Sequence, residues 1–353
     1  MRIALDATYS LDRAPTGVGV YCSRLIGALA AQADGSRFLL CYRPRRFLRS
    51  LAEPLPAPGW ARSPLLEPLD LLLPRRVELF HGLNQRLPRR RFQRSVTTFH
   101  DLFVMTGEYS TPEFRKRFTA LARDAASRSD HVIAVSSHTA GQVESLLGIE
   151  RSRISVIHHG VDPVPAFSPE DLAAFRRRWR LERPFLLHVG AIQARKNLLR
   201  LMDAFEKLDG DLDLALAGSS GYAASPVEER ARRNPRIRLL GYVEQPVLQR
   251  LYRSAAALAF PSLDEGFGLP VLEAMSAALP VVTSNRSATA EVAGGAALLV
   301  DPASTEELAA ALDRAARDTV AREALIGRGR ERAAQFCWGA AAARTLEVYR
   351  RLL

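Results

Sequence analysis

The stretch Phe260-Pro-Ser-Leu-Asp-Glu-Gly-Phe-Gly-Leu-Pro-Val-Leu-Glu-Ala-Met275 ends an apolar run, turns through two glycines and enters a helix with Pro270 at a natural first position. The amides of Gly266, Phe267, Gly268 and Leu269 are expected to stay free there, at the positive end of the helix they precede. A strand-loop-helix corner of this kind suits an anion, most simply a phosphate. Glu265 and Glu273 bracket the corner and would repel that anion. They are therefore read as acceptors for hydroxyl groups. A ligand carrying both phosphates and many hydroxyls is a nucleotide sugar.

Outward from this corner, short apolar runs alternate with helix-patterned stretches along the whole chain. Strand patterns fall at residues 3–6, 38–42, 79–80, 96–99, 132–135 and 154–157, with helix patterns at 18–31, 112–129 and 137–147. A second series has strand patterns at 185–189, 212–216, 237–240, 257–260, 280–283 and 297–300. Helix patterns at 197–208, 226–233, 245–254 and after Gly268 separate them, and two terminal helical stretches follow. Such alternation predicts an α/β chain whose parallel sheets are covered by helices on both faces. Two series predict two domains, residues 1–163 and 168–337, meeting at the seam Asp162-Pro-Val-Pro-Ala-Phe167. Ser168, followed by Pro169, Glu170 and Asp171, is a well-capped helix start just beyond it.

A length of 353 residues with 47% hydrophobic content is enough for two cores. Cys22, Cys41 and Cys337 are odd in number and widely spaced, so neither a disulfide framework nor a metal knuckle is expected, and a reducing cytoplasm is. Met1-Arg-Ile-Ala-Leu-Asp6 enters a strand pattern directly, without the apolar stretch of a secretory leader, and no window is long enough to span a bilayer. The net charge of +11 is concentrated in residues 37–94, where 13 arginines face four acids. No aromatic-basic interleaving, helix-turn-helix or zinc-finger pattern accompanies it, so nucleic acid is not the expected partner. Three readings of the arginines are open, a solvated surface, a patch for an anionic membrane on the inner face of the cell or a lipid-linked acceptor, and, last, nucleic acid.

Candidate chemistry lies at strand ends, where open parallel sheets place their ligands. Thr16-Gly-Val-Gly-Val-Tyr21 puts Gly17, Val18 and Gly19 at a helix start, where small residues allow a ligand close to the backbone. It lacks the third glycine of a dinucleotide fingerprint and reads equally as a plain helix start. His100-Asp101 follows the strand ending at Phe99 and could shuttle a proton or orient a hydroxyl, or be a loop histidine held by its neighbour. His81 sits at another strand end. His158 and His159 are adjacent on an extended segment, point to opposite faces and are read as structural, with a hinge at Gly160. Val189-Gly-Ala-Ile-Gln-Ala-Arg-Lys-Asn197 again joins a strand to a helix. Lys196 is one of only three lysines in an arginine-rich chain, which points to a need for a compact ammonium, and Arg195 adds a bidentate phosphate donor. Asp211-Leu-Asp213 matches the Asp-x-Asp pattern of metal-dependent sugar transferases but lies in a run leading into a buried strand, so no metal role is expected.

Taken together, Glu265 and Glu273 with seven residues between them, the Arg195-Lys196-Asn197 turn, the Thr16–Gly19 loop, His100-Asp101-Leu102 and His159-Gly160-Val161-Asp162 resemble family 4 glycosyltransferases of the GT-B fold. The resemblance covers nearly the whole chain in order. Residues 281–285 and 291–302 look like the subgroup rich in mannosyltransferase-like enzymes. It implies two facing Rossmann-like domains with an interdomain cleft, an acceptor-side first domain, a donor-binding second domain and a last helix, about 338–353, packed back on the first. It also implies transfer of a hexose, mannose-like, from a nucleoside diphosphate sugar to a glycan or lipid-linked hydroxyl. Anomeric configuration would be retained, with neither cofactor nor metal, and the donor would be a GDP- or UDP-sugar. Carried onto this sequence, Glu273 would hold the ribose and Glu265 the sugar hydroxyls. Lys196 and Arg195 would neutralise the diphosphate, with amides from Gly17, Val18, Gly19, Gly266, Phe267, Gly268 and Leu269. His100 would contact the sugar near its reacting carbon. Ala191 departs from the arginine many relatives carry there, which shifts phosphate neutralisation onto Lys196 and Arg195. Thr289-Ala290 likewise replaces a more usual Leu-Pro. Alternatives are another GT-B enzyme, a phosphorylase or sugar-nucleotide epimerase, or a non-catalytic sugar-nucleotide binder.

Overall fold

The computed structural model describes residues 1–12, 14–32, 35–67 and 73–353, so residues 68–72 of the arginine-rich region lie outside the described residues. The chain divides into two compact units. The first comprises Met1–Gly107, Pro112–Gly160 and Cys337–Leu353; the second comprises Glu108–Thr111 and Val161–Phe336.

In the first unit β1 (Arg2–Asp6), β2 (Arg37–Tyr42), β3 (Ala61–Pro64), β4 (Leu79–Gly82), β5 (Arg94–Phe99), β6 (His131–Ala134) and β7 (Ile154–Val156) form one sheet in the order β3-β2-β1-β4-β5-β6-β7. Every pairing is parallel. Ile3, Ala4 and Leu5 have no exposed surface, the continuous burial expected of a strand covered on both faces. The helix Gly17–Ala31 buries Tyr21, Cys22, Leu25, Ile26 and Leu29 at helical spacing against this sheet.

In the second unit β8 (Phe185–Val189), β9 (Asp213–Ala217), β10 (Ile237–Gly241), β11 (Ala257–Phe260), β12 (Val281–Ser284) and β13 (Leu298–Val300) run in the order β10-β9-β8-β11-β12-β13, again all parallel. The chain winds outward from β8 to β10, then returns to β11 on the other side of β8. The strand order thus reverses between β8 and β11, the switch point at which open parallel sheets place their ligands, and the loops after these two strands lie there.

Three corrections to the sequence reading concern local signals. The two terminal helical stretches are three helices, Thr305–Arg317, Thr319–Ala334 and Trp338–Leu352. Asp318 separates the first two: its amide closes one helix on the Arg314 carbonyl and its carboxylate caps the next at the Ala321 amide. The edge strand β3 and the helix Pro44–Ser50 went unread; a four-residue run ending in proline carries almost no strand signal.

The helix Trp338–Leu352 belongs to the first unit, where it packs on Gly17–Ala31 and buries Trp338, Ala342, Leu346 and Tyr349 in that core. The Cys337 sulfur caps it, 3.3 Å from the Ala340 amide. Gly160 has a steric reason to be glycine, since a Cβ there would stand 2.2 Å from the Trp338 nitrogen. Cys22, Cys41 and Cys337 are all free thiols. Among the described residues no helix is long and apolar enough to cross a membrane.

Candidate active site

The two loops at the β8–β11 switch point bring three of the sequence-predicted residues together. Beyond β8 the chain turns at Gly190 (φ +143°), whose amide bonds the Ala217 carbonyl at 2.9 Å. Gly218 must lack a side chain, because a Cβ would fall 1.9 Å from the Gly190 oxygen. A short turn at Ala194–Lys196 follows and ends at Asn197, which adopts the left-handed conformation (φ 59°, ψ 36°) and begins the helix Leu198–Glu206. The Asn197 side-chain nitrogen Nδ2 donates to the Pro302 carbonyl at 2.7 Å and the Pro261 carbonyl at 3.2 Å, tying this turn to the loops after β13 and β11. The Leu263 amide donates to the Arg195 carbonyl at 2.9 Å, a second tie between the same loops.

So fixed, Lys196 places its ammonium 2.5 Å from Glu265 Oε1, and Arg195 its guanidinium 2.9 Å from Oε2. Arg195 also donates to the Asp264 carbonyl. All three charged side chains are buried. Burial alone would raise the Glu265 carboxyl, but Arg195 and then Lys196 overcome it and hold the group at about 2. Glu265 is thus ionised and clamped, whereas the sequence reading gave it and the two cations separate ligand groups. The backbone of Glu265 is equally constrained, its amide donating to the Ser287 hydroxyl at 3.2 Å and its carbonyl accepting from the Ala288 amide. Lys196 Nζ also lies 4.7 Å from the centroid of the Phe260 ring.

Beyond Glu265 the loop turns at Gly268 (φ +103°) into the helix Leu269–Ser276, with Pro270 in its first turn as read. The Gly268 and Leu269 amides have no hydrogen-bond partner among the described residues, as a helix start leaves them. Phe267 instead buries its ring edge-on against Phe336, 6.1 Å between centroids. Glu273 points from that helix to the Tyr252 hydroxyl, which donates to it at 2.7 Å. Burial raises the Glu273 carboxyl, the Tyr252 bond lowers it and Asp162 raises it, for a net upward shift.

The glycine-loop and histidine candidates other than these lie in the first unit. Gly17 opens its helix, and Gly19 packs so closely that a Cβ would meet Pro15 at 3.1 Å and the Tyr9 oxygen at 3.2 Å. His100 is buried, with Nε2 2.9 Å from the Leu83 carbonyl and the Tyr21 ring edge-on at 4.7 Å. Burial lowers it to about 4, so the ring is neutral and, since a carbonyl only accepts, Nε2 carries the proton. His81 bridges the Tyr349 hydroxyl at 2.6 Å and the Thr98 hydroxyl at 2.8 Å, joining the last helix to β5, and is a packing residue. His159 stacks on Tyr21 and Trp338. Asp211 pairs with Arg317, and Asp213 begins β9 with Arg183 3.5 Å away. The sequence reading passed over Asn197 as a tie, Tyr252 as the Glu273 partner and His188, a buried β8 residue whose Nδ1 lies 3.0 Å from the Ala259 carbonyl. Only the lone polar residue in the run Phe185-Leu-Leu-His-Val189 hinted at the last.

Two family models match, one described as glycosyltransferase family 4 over residues 15–165 and one as glycosyl transferases group 1 over residues 183–318. The O-antigen chain mannosyltransferase B of Escherichia coli is 32% identical over 311 residues, covering 82% of this chain and 81% of that protein. The serotype-specific mannosyltransferase WbdA of the same organism is 26% identical over 275 residues, covering 74% of this chain, which spans 34% of that longer protein. Among solved structures, HepE of Anabaena in complex with UDP and glucose superposes with a TM-score of 0.77 at 18% identity, covering 99% of this chain and 100% of that one. WaaG, a glycosyltransferase involved in lipopolysaccharide biosynthesis, gives 0.74 at 16% identity, with 99% of each chain covered. The two parallel-sheet units, the matched models and the 32% identical relative show that this chain belongs to the family 4 glycosyltransferases and is a glycosyltransferase of the GT-B type.

Proposed function

We propose that the protein transfers a hexose, mannose in the first instance, from a GDP- or UDP-sugar to a hydroxyl of a glycan or lipid-linked acceptor, with retention and without a metal. The observation that carries this reading is the buried Lys196–Glu265–Arg195 cluster beside the start of the helix Leu269–Ser276. Two buried cations need an anionic partner. A diphosphate offers more oxygens than one carboxylate, and it would arrive where the Gly268 and Leu269 amides and the helix dipole already favour negative charge. Glu265, relieved of the cations, would then accept from sugar hydroxyls, while Glu273, oriented by Tyr252, would take the ribose.

Loss of the diphosphate builds negative charge on the leaving oxygen, and fixed donors there are the expected largest catalytic contribution. Both glutamates are engaged on the donor in this scheme, so substitution on the front face, aided by the leaving group, is favoured over a covalent glycosyl-enzyme. His100, neutral with Nε2 occupied by Leu83, would offer Nδ1 as an acceptor toward the sugar. The mannosyltransferase relatives support the choice of sugar, and the HepE complex with UDP and glucose supports a nucleotide-linked donor. The arginines of 37–94 would hold the enzyme at an anionic membrane carrying its acceptor.

The test is a thermal-shift screen with GDP-mannose, UDP-glucose, ADP-glucose and dTDP-glucose, followed by turnover with the stabilising donor in chelator and proton NMR of the anomeric product. Stabilisation by a donor, turnover in chelator and a retained anomer are expected. An inverted product, or a sugar trapped covalently on Glu265 or Glu273, would sink the mechanism.

A further inference from the structure

His188 lies on β8, two residues before Gly190, with no exposed surface. Its Nδ1 faces the Ala259 carbonyl at 3.0 Å, and because a carbonyl can only accept, Nδ1 must carry the proton. Nε2 is then a bare lone pair. It is shut away from solvent and has no hydrogen-bond partner among the described residues. A buried acceptor left unmade carries a desolvation penalty that an aromatic hydrocarbon side chain of similar shape would not.

The surroundings of that lone pair suggest its use. The His188 ring stacks on Phe260, with centroids 5.7 Å apart and planes 14° from parallel. Lys196 Nζ addresses the same ring, 4.7 Å from its centroid. Gly190 leaves open the space that both nitrogens border: a Cβ there would be 3.4 Å from Lys196 Nζ and 3.6 Å from His188 Nε2. In the unliganded protein the ammonium donates to Glu265. Once Glu265 turns to sugar hydroxyls, Lys196 loses that acceptor at the moment its charge is needed.

We propose that His188 is a positioning residue for Lys196, its Nε2 accepting an ammonium proton when the donor draws Glu265 away. The inference rests on the donor-site reading of Lys196 and Glu265 given above. A carboxylate orients an ammonium but cancels its charge. A neutral imidazole orients it and leaves the full unit charge directed at the leaving diphosphate. Neutrality is built in, since burial, and then Lys196, lower the imidazole to about 4 despite the opposing Ala259 bond and Glu265.

The experiment compares His188→Phe, which keeps a ring on Phe260 but loses the lone pair, with His188→Gln, which restores an acceptor. With GDP-mannose or UDP-glucose, whichever the wild type uses, His188→Phe should lower kcat for transfer about 10- to 100-fold, the order expected of a misplaced catalytic group. Donor KM should stay within about threefold, because the ammonium still binds phosphate. His188→Gln should recover most of the rate. In wild-type protein, the ¹⁵N resonance of His188 Nε2 should move upfield from its bare position on saturation with the same donor, a measurement that needs no variant to fold. A wild-type rate in folded His188→Phe, or an Nε2 signal that stays put at saturation, overturns the role of His188. A wild type that turns over none of the donors overturns the donor-site reading instead.

Discussion

Replacing Glu265 by glutamine should unfold the second unit far more readily than loss of one side-chain charge at a surface would. The carboxyl is held at about 2 against an ordinary 4.5 by Arg195 and Lys196, which have overcome the upward push of burial. At 1.36 kcal/mol per pH unit, that displacement corresponds to about 3 kcal/mol of stability. Because the folded value lies below the unfolded one, the contribution is fully present above pH 4.5 and is lost as the pH falls toward 2. Glutamine removes it at every pH, leaving two buried cations facing a neutral amide, for which a loss of about 3–5 kcal/mol is typical. In a unit of 180 residues that lowers the unfolding midpoint by roughly 6–20 °C. Scanning calorimetry at pH 7 would read it, and inorganic pyrophosphate should restore part of the loss by taking the place of the carboxylate. The double variant Lys196→Met with Glu265→Gln should be less destabilised than the two single changes added together, by about 1–3 kcal/mol. A midpoint within 1–2 °C of wild type for Glu265→Gln, or strict additivity in the cycle, would refute the clamp.

Three further outcomes are expected. Lys196→Ala should reduce kcat for transfer about 10²–10³-fold, the usual loss on removing one fixed donor to developing charge, with helical content by circular dichroism unchanged. Because burial raises the Glu273 carboxyl, donor affinity measured by calorimetric titration should fade on acidification from above pH 4.5. Tyr252→Phe, which removes the bond that lowers that group, should move the fade to still higher pH. Gly218→Ala should destabilise by at least about 1–3 kcal/mol in urea unfolding, since its new methyl meets a backbone oxygen that cannot rotate away.

Much of this was legible before any coordinates. Strand patterns such as Phe185–Val189 and Ala257–Phe260 are continuous apolar runs of strand length between turn residues, and they form β8 and β11 with those bounds. Elements carried by few residues were not, as β3 with its four-residue edge run illustrates. At the site, Arg195, Lys196 and Glu265 stood out as residue types, but their mutual pairing did not. It joins positions 69 residues apart and depends on β8 and β11 being neighbours, which only the reversal of strand order decides. His188 was hidden for the opposite reason: in a fully buried strand its neighbours are apolar, and the sequence gives no sign that one nitrogen is left without a bond. Tyr252 lies in the 245–254 helix pattern with nothing local to single it out, and its hydroxyl meets Glu273 only through tertiary packing.

The ties from Asn197 to Pro261 and from Leu263 to Arg195 have a bearing on protein engineering. They make residues 190–197 and 261–268 a single exchangeable cassette despite their separation in the chain. A chimera that imports one of these loops from a relative with a different donor preference would sever both seams and misplace the imported charges. Grafting the two together, with the asparagine retained, is the smallest transplant that keeps the Lys196–Glu265–Arg195 cluster intact.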